Sequence, residues 1–169
     1  APDELQDPAA WCRLMKKRGV TVWNTTPALM QLLLDYLDEH GEDIPEQLRL
    51  AILSGDRIPL SMPGRMRPAW PGITVAAMGG ATEASIWSNL QKVTSVPESW
   101  HSIPYGRPLS NQGYLVLDED MSPCPDWVTG DLYITGRGLA RGYLNNPGLT
   151  EKSFFRYPVT GERLYRTGD

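Results

Sequence analysis

Short β-type runs that alternate with capped helical stretches are the feature that most narrows what this chain can fold into. Val20-Thr21-Val22-Trp23 is β-branched and aromatic, Leu48 to Leu53 is largely apolar, and Ile73 to Met78 follows the same pattern. Between them lie helix signals. Asp7-Pro8 supplies an N-cap and a first-turn proline, Trp11, Leu14 and Met15 fall at helical spacing, and Gly19 closes that helix behind Lys16-Lys17-Arg18. The basic run reads as a solvated helix end, where cations meet the negative end of the helix dipole. Thr26-Pro27 opens a second helix with Leu29, Leu32, Leu33, Tyr36 and Leu37 on one face and Gly41 as its stop. Ser61 to Trp70 predicts a short third helix, and Pro71-Gly72 a turn. A strand that returns through a helix to its neighbour runs parallel to it by a right-handed crossover. Residues 1–100 are therefore expected to be α/β, part of a mostly parallel sheet with flanking helices.

The character changes near Pro97. From Ile103 onward turn residues recur every few positions, and the short runs Gly113 to Asp118 and Asp131 to Thr135 lack a helical period. Residues 101–169 are expected to form a small β-rich subdomain, a distorted barrel.

Composition excludes several classes of function. The 169 residues are 41% hydrophobic and 21% charged, enough to bury a core and unlike a disordered chain. A net charge of −4 without a basic block argues against nucleic acid as a partner. No apolar stretch approaches the ~20 residues that span a bilayer, so no membrane partner is expected. Cys12 and Cys124 lie far apart and form no ligand spacing, which reads as two reduced thiols in a cytoplasmic protein. His40 and His101 sit in no motif and are read as surface or satisfied residues.

In parallel sheets ligands bind off the carboxyl ends of the strands. Those ends here hold Asn24, Ser54-Gly55-Asp56 and Gly79-Gly80-Ala81-Thr82-Glu83, and the three segments are expected to converge on one crevice. Glycines admit close backbone approach, a Thr hydroxyl donates to a phosphate oxygen, and carboxylates hold a metal ion or sugar hydroxyls. Tyr165-Arg166-Thr167-Gly168-Asp169 has the same polar, glycine-bearing character. Each segment also has a plain structural reading. Asn24 could cap the helix at Pro27, Ser54-Gly55-Asp56 could be an ordinary turn, Thr82-Glu83 a helix start, and Trp87 a core residue. Gly136-Arg137-Gly138 and Arg141-Gly142-Tyr143 are weak as phosphate loops, because no helix evidently follows the first pair.

The run Gly130-Asp131-Leu132-Tyr133-Ile134-Thr135-Gly136-Arg137-Gly138-Leu139-Ala140-Arg141-Gly142-Tyr143, followed by Asn146-Pro147, Leu149-Thr150 and Phe154, resembles a core motif of adenylate-forming enzymes. Tyr165 to Asp169, Ala81-Thr82-Glu83 and Gly106-Arg107-Pro108 resemble further motifs, in order and at matching spacing. The resemblance is to adenylation domains of nonribosomal peptide synthetases. It implies activation of an amino acid by Mg²⁺ and ATP to an aminoacyl adenylate, with release of pyrophosphate. The acyl group then passes to the phosphopantetheine thiol of a peptidyl carrier protein, one of several partner domains in a synthetase.

Carried onto this chain, the resemblance makes Thr82 and Glu83 the catalytic pair, with Glu83 as the metal ligand. It assigns Gly55, Asp56, Arg57, Gly79, Gly80 and Asp169 to nucleotide binding, Asp169 at the ribose hydroxyls and Gly55-Asp56-Arg57 along the adenine. The family usually has an aromatic residue before Gly-Pro-Thr-Glu, whereas this chain has Gly79 before Gly80-Ala81-Thr82-Glu83, so the adenine lacks its usual stacking ring. Substrate positions fall on Asn24, Ile52, Ser54, Met78, Ile86 and Trp87, a medium pocket whose hydrogen-bonding side chains are Asn24 and Ser54. With the string Ala81-Thr82-Glu83-Ala84-Ser85-Ile86-Trp87, the pattern is similar to cysteine-activating domains of siderophore synthetases. The family's phosphate loop, its amine-gripping Asp and its catalytic Lys find no match here, so an internal piece of an adenylation domain, inactive alone, is expected. The alternatives are an acyl- or aryl-CoA synthetase of the same superfamily and a non-catalytic truncated interaction module.

Overall fold

The computed structural model describes residues 6–169. Helix α1 (Pro8–Arg18) starts where the Asp7 carboxylate accepts the Ala9 amide hydrogen and ends at a left-handed Gly19. Helix α2 (Pro27–Glu39) is capped by Thr26, whose hydroxyl oxygen faces the Leu29 amide. Helix α3 (Met62–Ala69) is short. Strands β1 (Val22–Thr25), β2 (Leu50–Leu53) and β3 (Thr74–Gly79) pair in parallel, with Val22 opposite Leu50 and Leu50 opposite Thr74. They are joined through α2 and α3, as the alternating pattern requires. Strands β4 (Asn89–Val93) and β5 (Arg107–Pro108) pair antiparallel and complete a five-stranded sheet in the order β1-β2-β3-β4-β5.

A second sheet holds β6 (Gln112–Leu117), β7 (Asp131–Gly136), β8 (Phe154–Arg156) and β9 (Arg163–Arg166) in the antiparallel order β6-β7-β9-β8. A helix α4 (Pro147–Ser153) precedes β8. The α/β fold with a following β-rich part matches the expectation from the sequence, but α4 does not: seven residues span too few turns to display a helical period. The signal present was Asn146-Pro147, since the Asn146 side chain accepts the Leu149 amide hydrogen and proline occupies the first turn.

Two compact units emerge, one of residues up to Met78 with Gln91–Gly106, the other of Gly79–Leu90 with Arg107–Asp169. The sequence-based division at residue 100 and this grouping place Gly79–Leu90 differently. That segment hydrogen-bonds to the later strands and their loops: Leu109 N–H to Ser88 O, Ala140 N–H to Glu83 O, Gln112 Nε2 to Trp87 O.

The first unit's core is built on Cys12 and Met15 of α1, Met30, Leu33, Leu34 and Leu37 of α2, Met62 and Met66 of α3, and Ala51, Leu53 and Val75 from the strands. The buried face of α2 is thus 30/33/34/37, and Leu29 and Leu32 are 37% and 39% exposed. Both sets satisfy a 3.6-residue period, and only contact with the sheet selects between them. Likewise Leu14 of α1 is exposed and Cys12 buried. The α2 stop is His40, which leaves the helical region at φ −128 and ψ 60 and stacks on Tyr36 at 4.4 Å, with Gly41 opening a 3-10 turn to Asp43. Removing Leu33, which is wholly buried, costs about 2–5 kcal/mol on truncation to alanine.

The second unit's sheet is apolar on both faces. Ile134, Phe154 and Tyr165 pack with Ala84 on one side, while Leu117, Tyr133, Tyr157 and Leu164 pack on the other. Successive residues of a strand point to opposite faces, so the continuous apolar run of β7 serves both clusters.

Candidate functional site

In the first unit, strand register decides which side chains share a face. Asn24 is opposite Ile52, and Ile52 opposite Ala76, while Thr25, Leu53 and Ala77 form the next rung. Ser54 and Met78 follow at the carboxyl ends, each two residues beyond its own strand's Ile52 or Ala76. By the two-residue alternation of strands, Asn24, Ile52, Ser54 and Met78 lie on one face. Thr25, Leu53 and Ala77 on the other face are buried; Asn24 is exposed, and Ile52, Ser54 and Met78 are half-buried. Four of the sequence-predicted substrate positions are thus presented together on the open side of the sheet. Ser54 N–H donates to Thr25 O, which keeps β2 in register beyond its last formal residue.

The turn after β2 is tied inward. Gly55 has φ +85, the Asp56 carboxylate accepts the Arg57 amide hydrogen at 2.6 Å, and Arg57 Nη2 donates to the His101 carbonyl at 2.8 Å. All three of Gly55, Asp56 and Arg57 are exposed. A surface depression of about 600 Å³ lies instead by α2 and α3, lined by Leu34, Leu37, Asp38, Ser61 and Arg65, and contains none of the predicted residues.

In the second unit, Gly79 to Ser88 forms one tightly folded loop. Gly79 N–H donates to the Asn89 side chain, and Gly80 adopts φ +145 beneath the Ile86 carbonyl and the Ser88 amide. A 3-10 turn covers Thr82–Ala84, and Ser85 and Ile86 both have positive φ, 63° and 70°. A β-branched residue at φ 70° is a rare outlier, held only where surroundings over-determine it. The tethers are visible: Ile86 N–H to Ala81 O, Ser85 Oγ to Gly138 O at 2.7 Å, Gln112 Nε2 to Trp87 O at 2.9 Å, and Ser88 Oγ with Tyr114 Oη at 2.6 Å. Ile86 is 63% exposed and Trp87 half-buried.

Thr82 is exposed at the start of the turn, and Glu83 is half-buried behind it. The Tyr143 hydroxyl donates to Glu83 Oε1 at 2.6 Å. That hydrogen bond, reinforced from Tyr165, holds the Glu83 carboxyl below its ordinary range against the opposing effect of burial. The same contact pushes the Tyr143 phenol up, and burial followed by the Glu83 charge pushes Tyr165 up. The result is an ionised carboxylate between two neutral phenols. The residues that surround Glu83, Tyr143 and Tyr165 among them, were given no role from sequence. Their signal was membership of the motif strings, which carry no information on which side chain faces which.

Asp169 is exposed; its carbonyl accepts the Leu132 amide hydrogen and its own N–H donates to Thr167 Oγ1 at 3.1 Å. Among the described residues no group of three or more His, Cys, Asp or Glu is placed to hold a metal ion, and no helix is long and apolar enough to cross a membrane.

Residues 1–144 match the family of AMP-binding enzymes. The chain is 47% identical over 166 residues to the anguibactin system regulator of Vibrio anguillarum, covering 98% of this chain and 16% of that protein. It is 45% identical over 170 residues to pyochelin synthetase PchE of Pseudomonas aeruginosa, covering 100% of this chain and 12% of that one. A crystal structure of the nonribosomal peptide synthetase FmoA3 superposes with a TM-score of 0.93 at 43% identity, over 97% of this chain and 18% of the other. That protein has also been solved with α-methyl-L-serine-AMP bound. The chain spans less than a fifth of each of these relatives. It belongs to the AMP-binding enzyme family, as a segment similar to the adenylation domains of nonribosomal peptide synthetases.

Proposed function

We propose that this chain is part of an amino-acid adenylation domain in a larger synthetase that makes a siderophore or related peptide. The observation that carries the reading is the shared open face of Asn24, Ile52, Ser54 and Met78 at the carboxyl ends of parallel strands. A substrate carboxylate oxygen attacks the α-phosphorus of ATP, a new O–P bond forms, and the bond to the β-phosphate oxygen breaks to release pyrophosphate. Negative charge builds on the α-phosphate oxygens along that path, so fixed donors there lower the barrier. The exposed Thr82 hydroxyl is the donor we assign to the α-phosphate, and the exposed Asp169 carboxylate the acceptor for the ribose hydroxyls. Gly79 and Gly80 let the backbone approach the nucleotide, with Gly55, Asp56 and Arg57 along the adenine.

Glu83 fits a Mg²⁺ ligand: it is an ionised oxygen donor, and Mg²⁺ is ordinarily held by one or two carboxylates together with substrate phosphates. When bound, the ion would neutralise charge on the phosphate oxygens. The aminoacyl group then leaves AMP for the phosphopantetheine thiol of a carrier protein. Asn24 and Ser54 are the polar side chains of that face, and together with Ile86 and Trp87, assigned to the substrate by the family resemblance, they suit a small, weakly polar side chain; cysteine is our assignment. The similarity to pyochelin synthetase and to a synthetase solved with an amino-acid adenylate supports this reading. The free thiols Cys12 and Cys124 suit a reducing cytoplasm. A chain spanning 12% to 16% of such relatives is proposed to be inactive by itself.

The test is amino-acid-dependent ATP–pyrophosphate exchange on the complete synthetase, with each of the standard amino acids and with Asn24→Ala and Glu83→Ala. Exchange that peaks with cysteine and is lost in both variants supports the assignment. A peak with another amino acid overturns the substrate, and exchange with none, or transfer to free coenzyme A, overturns the enzyme class.

A further inference from the structure

We propose that Tyr143 is a positioning residue for the Glu83 carboxylate, and that its hydroxyl sets the direction in which Glu83 presents its remaining oxygen lone pairs. The inference rests on the reading of Glu83 as the Mg²⁺ ligand. Both ends of residue 83 are held by one short segment: Ala140 N–H donates to the Glu83 carbonyl at 2.7 Å, and the Tyr143 hydroxyl donates to Oε1 at 2.6 Å. Three residues apart, these two contacts leave the side chain little freedom to swing.

The segment is itself immobilised. Arg163 Nη1 and Nη2 donate to the carbonyls of Ala140 and Arg141 at 2.6 and 2.8 Å, and the Arg163 guanidinium lies over the Phe154 ring at 4.6 Å. Tyr143 N–H donates to Thr150 Oγ1 at 2.9 Å. Gly142 between them has φ +152, and a Cβ there would stand 2.7 Å from the same Oγ1, so the chain passes Thr150 at a distance only glycine allows. The Tyr143 ring meets Phe154 edge-on at 5.7 Å. Ring and backbone are thus fixed by packing, and the hydroxyl, which also lies within hydrogen-bonding reach of Ser153 and Tyr165, donates its one proton to Glu83.

A carboxylate has about four acceptor directions, and a short phenol donor occupies one while orienting the plane of the group. Held this way, Glu83 does not spend entropy on finding its rotamer when a cation arrives. Packing alone would be equally served by phenylalanine, which separates the two explanations.

The test compares Tyr143→Phe and Glu83→Ala with the wild type in the complete synthetase. Pyrophosphate exchange is measured against Mg²⁺ concentration at fixed ATP, and Mg·ATP binding by titration calorimetry normalised to folded protein. The expected result for Tyr143→Phe is a roughly 10-fold rise in the Mg²⁺ concentration for half-maximal exchange and a matching loss of Mg·ATP affinity. The maximal rate is largely restored at high Mg²⁺. A purely structural role would lower the maximal rate and leave the Mg²⁺ dependence and the normalised affinity where they were, which overturns the proposal. If Glu83→Ala keeps full exchange with unchanged Mg²⁺ dependence, the metal assignment itself fails, and the inference falls with it.

Discussion

Replacing Gly80 by alanine should disable the loop that carries Ile86 and Trp87 without touching either side chain. The added Cβ would stand 2.7 Å from both Ile86 O and Ser88 N and 2.8 Å from Ser88 Oγ, and the residue keeps φ +145. Holding an L side chain in that region costs about 1–3 kcal/mol. Forcing backbone atoms apart in a packed setting adds about 1–3 kcal/mol more. The sum, about 2–6 kcal/mol and about 4 kcal/mol at mid-range, corresponds at mid-range to roughly 1,000-fold in the equilibrium constant that favours the native loop. Relief is possible only by moving residues 86–88, and those are tied to Ala81, Gln112 and Tyr114. The assay is pyrophosphate exchange in the complete synthetase as a function of amino-acid concentration. Gly72→Ala serves as control, because a Cβ there meets nothing within 4 Å. The Gly80→Ala protein should lose at least roughly 30-fold in kcat/KM for the amino acid, with the control unchanged. A variant within twofold of wild type would refute the argument that this glycine shapes the substrate loop.

Other outcomes follow from the same structure. Gly64→Ala in α3 has open space around its Cβ and should raise stability by about 0.5–1 kcal/mol, read as a higher urea midpoint at unchanged slope. Cys12 is wholly buried and its thiol is pushed up to about 11, chiefly by burial, so it should resist a thiol reagent at pH 8 in native protein and react on unfolding in urea. Tyr36 is raised to about 12 by the hydrogen bond it donates to Asp43, whose own carboxyl is lowered by that bond. The tyrosine contribution is therefore present below pH 10 and lost as pH climbs toward about 12. The aspartate contribution is present above the ordinary carboxylate range and lost as pH falls through the lowered value. Tyr36→Phe should abolish the alkaline part of this dependence in melting curves recorded from pH 8 upward, and an unchanged profile would show that the bond does not form in solution.

Much of the fold is readable from residues that act locally. Asp7, Thr26 and Asn146 each place an oxygen where an uncommitted helix amide needs it, so helix starts are written within a few residues of sequence. Strand edges are less sharp. The run at 20–23 becomes β1 at Val22–Thr25, and Leu48–Leu53 shortens to Leu50–Leu53, because pairing with a neighbour rather than composition sets where a strand begins. Helix faces show the same limit, Met30 and Leu34 displacing Leu29 and Leu32 from the core of α2.

The candidate site divides along that line. Asn24 and Ser54 could be named from strand ends, because a parallel sheet delivers its carboxyl termini to one edge whatever the side chains are, whereas Ile52 and Met78 follow only from the family resemblance. That they share a face, and that Thr25, Leu53 and Ala77 do not, depends on register, a pairing between strands more than 20 residues apart. The sequence by itself determined the alternation of strand and helix, the helix caps and the residues at the strand ends, all of which rest on contacts within a turn or two. Only the tertiary structure decided that Tyr143 meets Glu83 across 60 positions and that Gly80 lies under Ile86. Hydrogen bonds and close approaches of that kind join residues whose separation along the chain leaves no periodic trace, and packing alone brings them together.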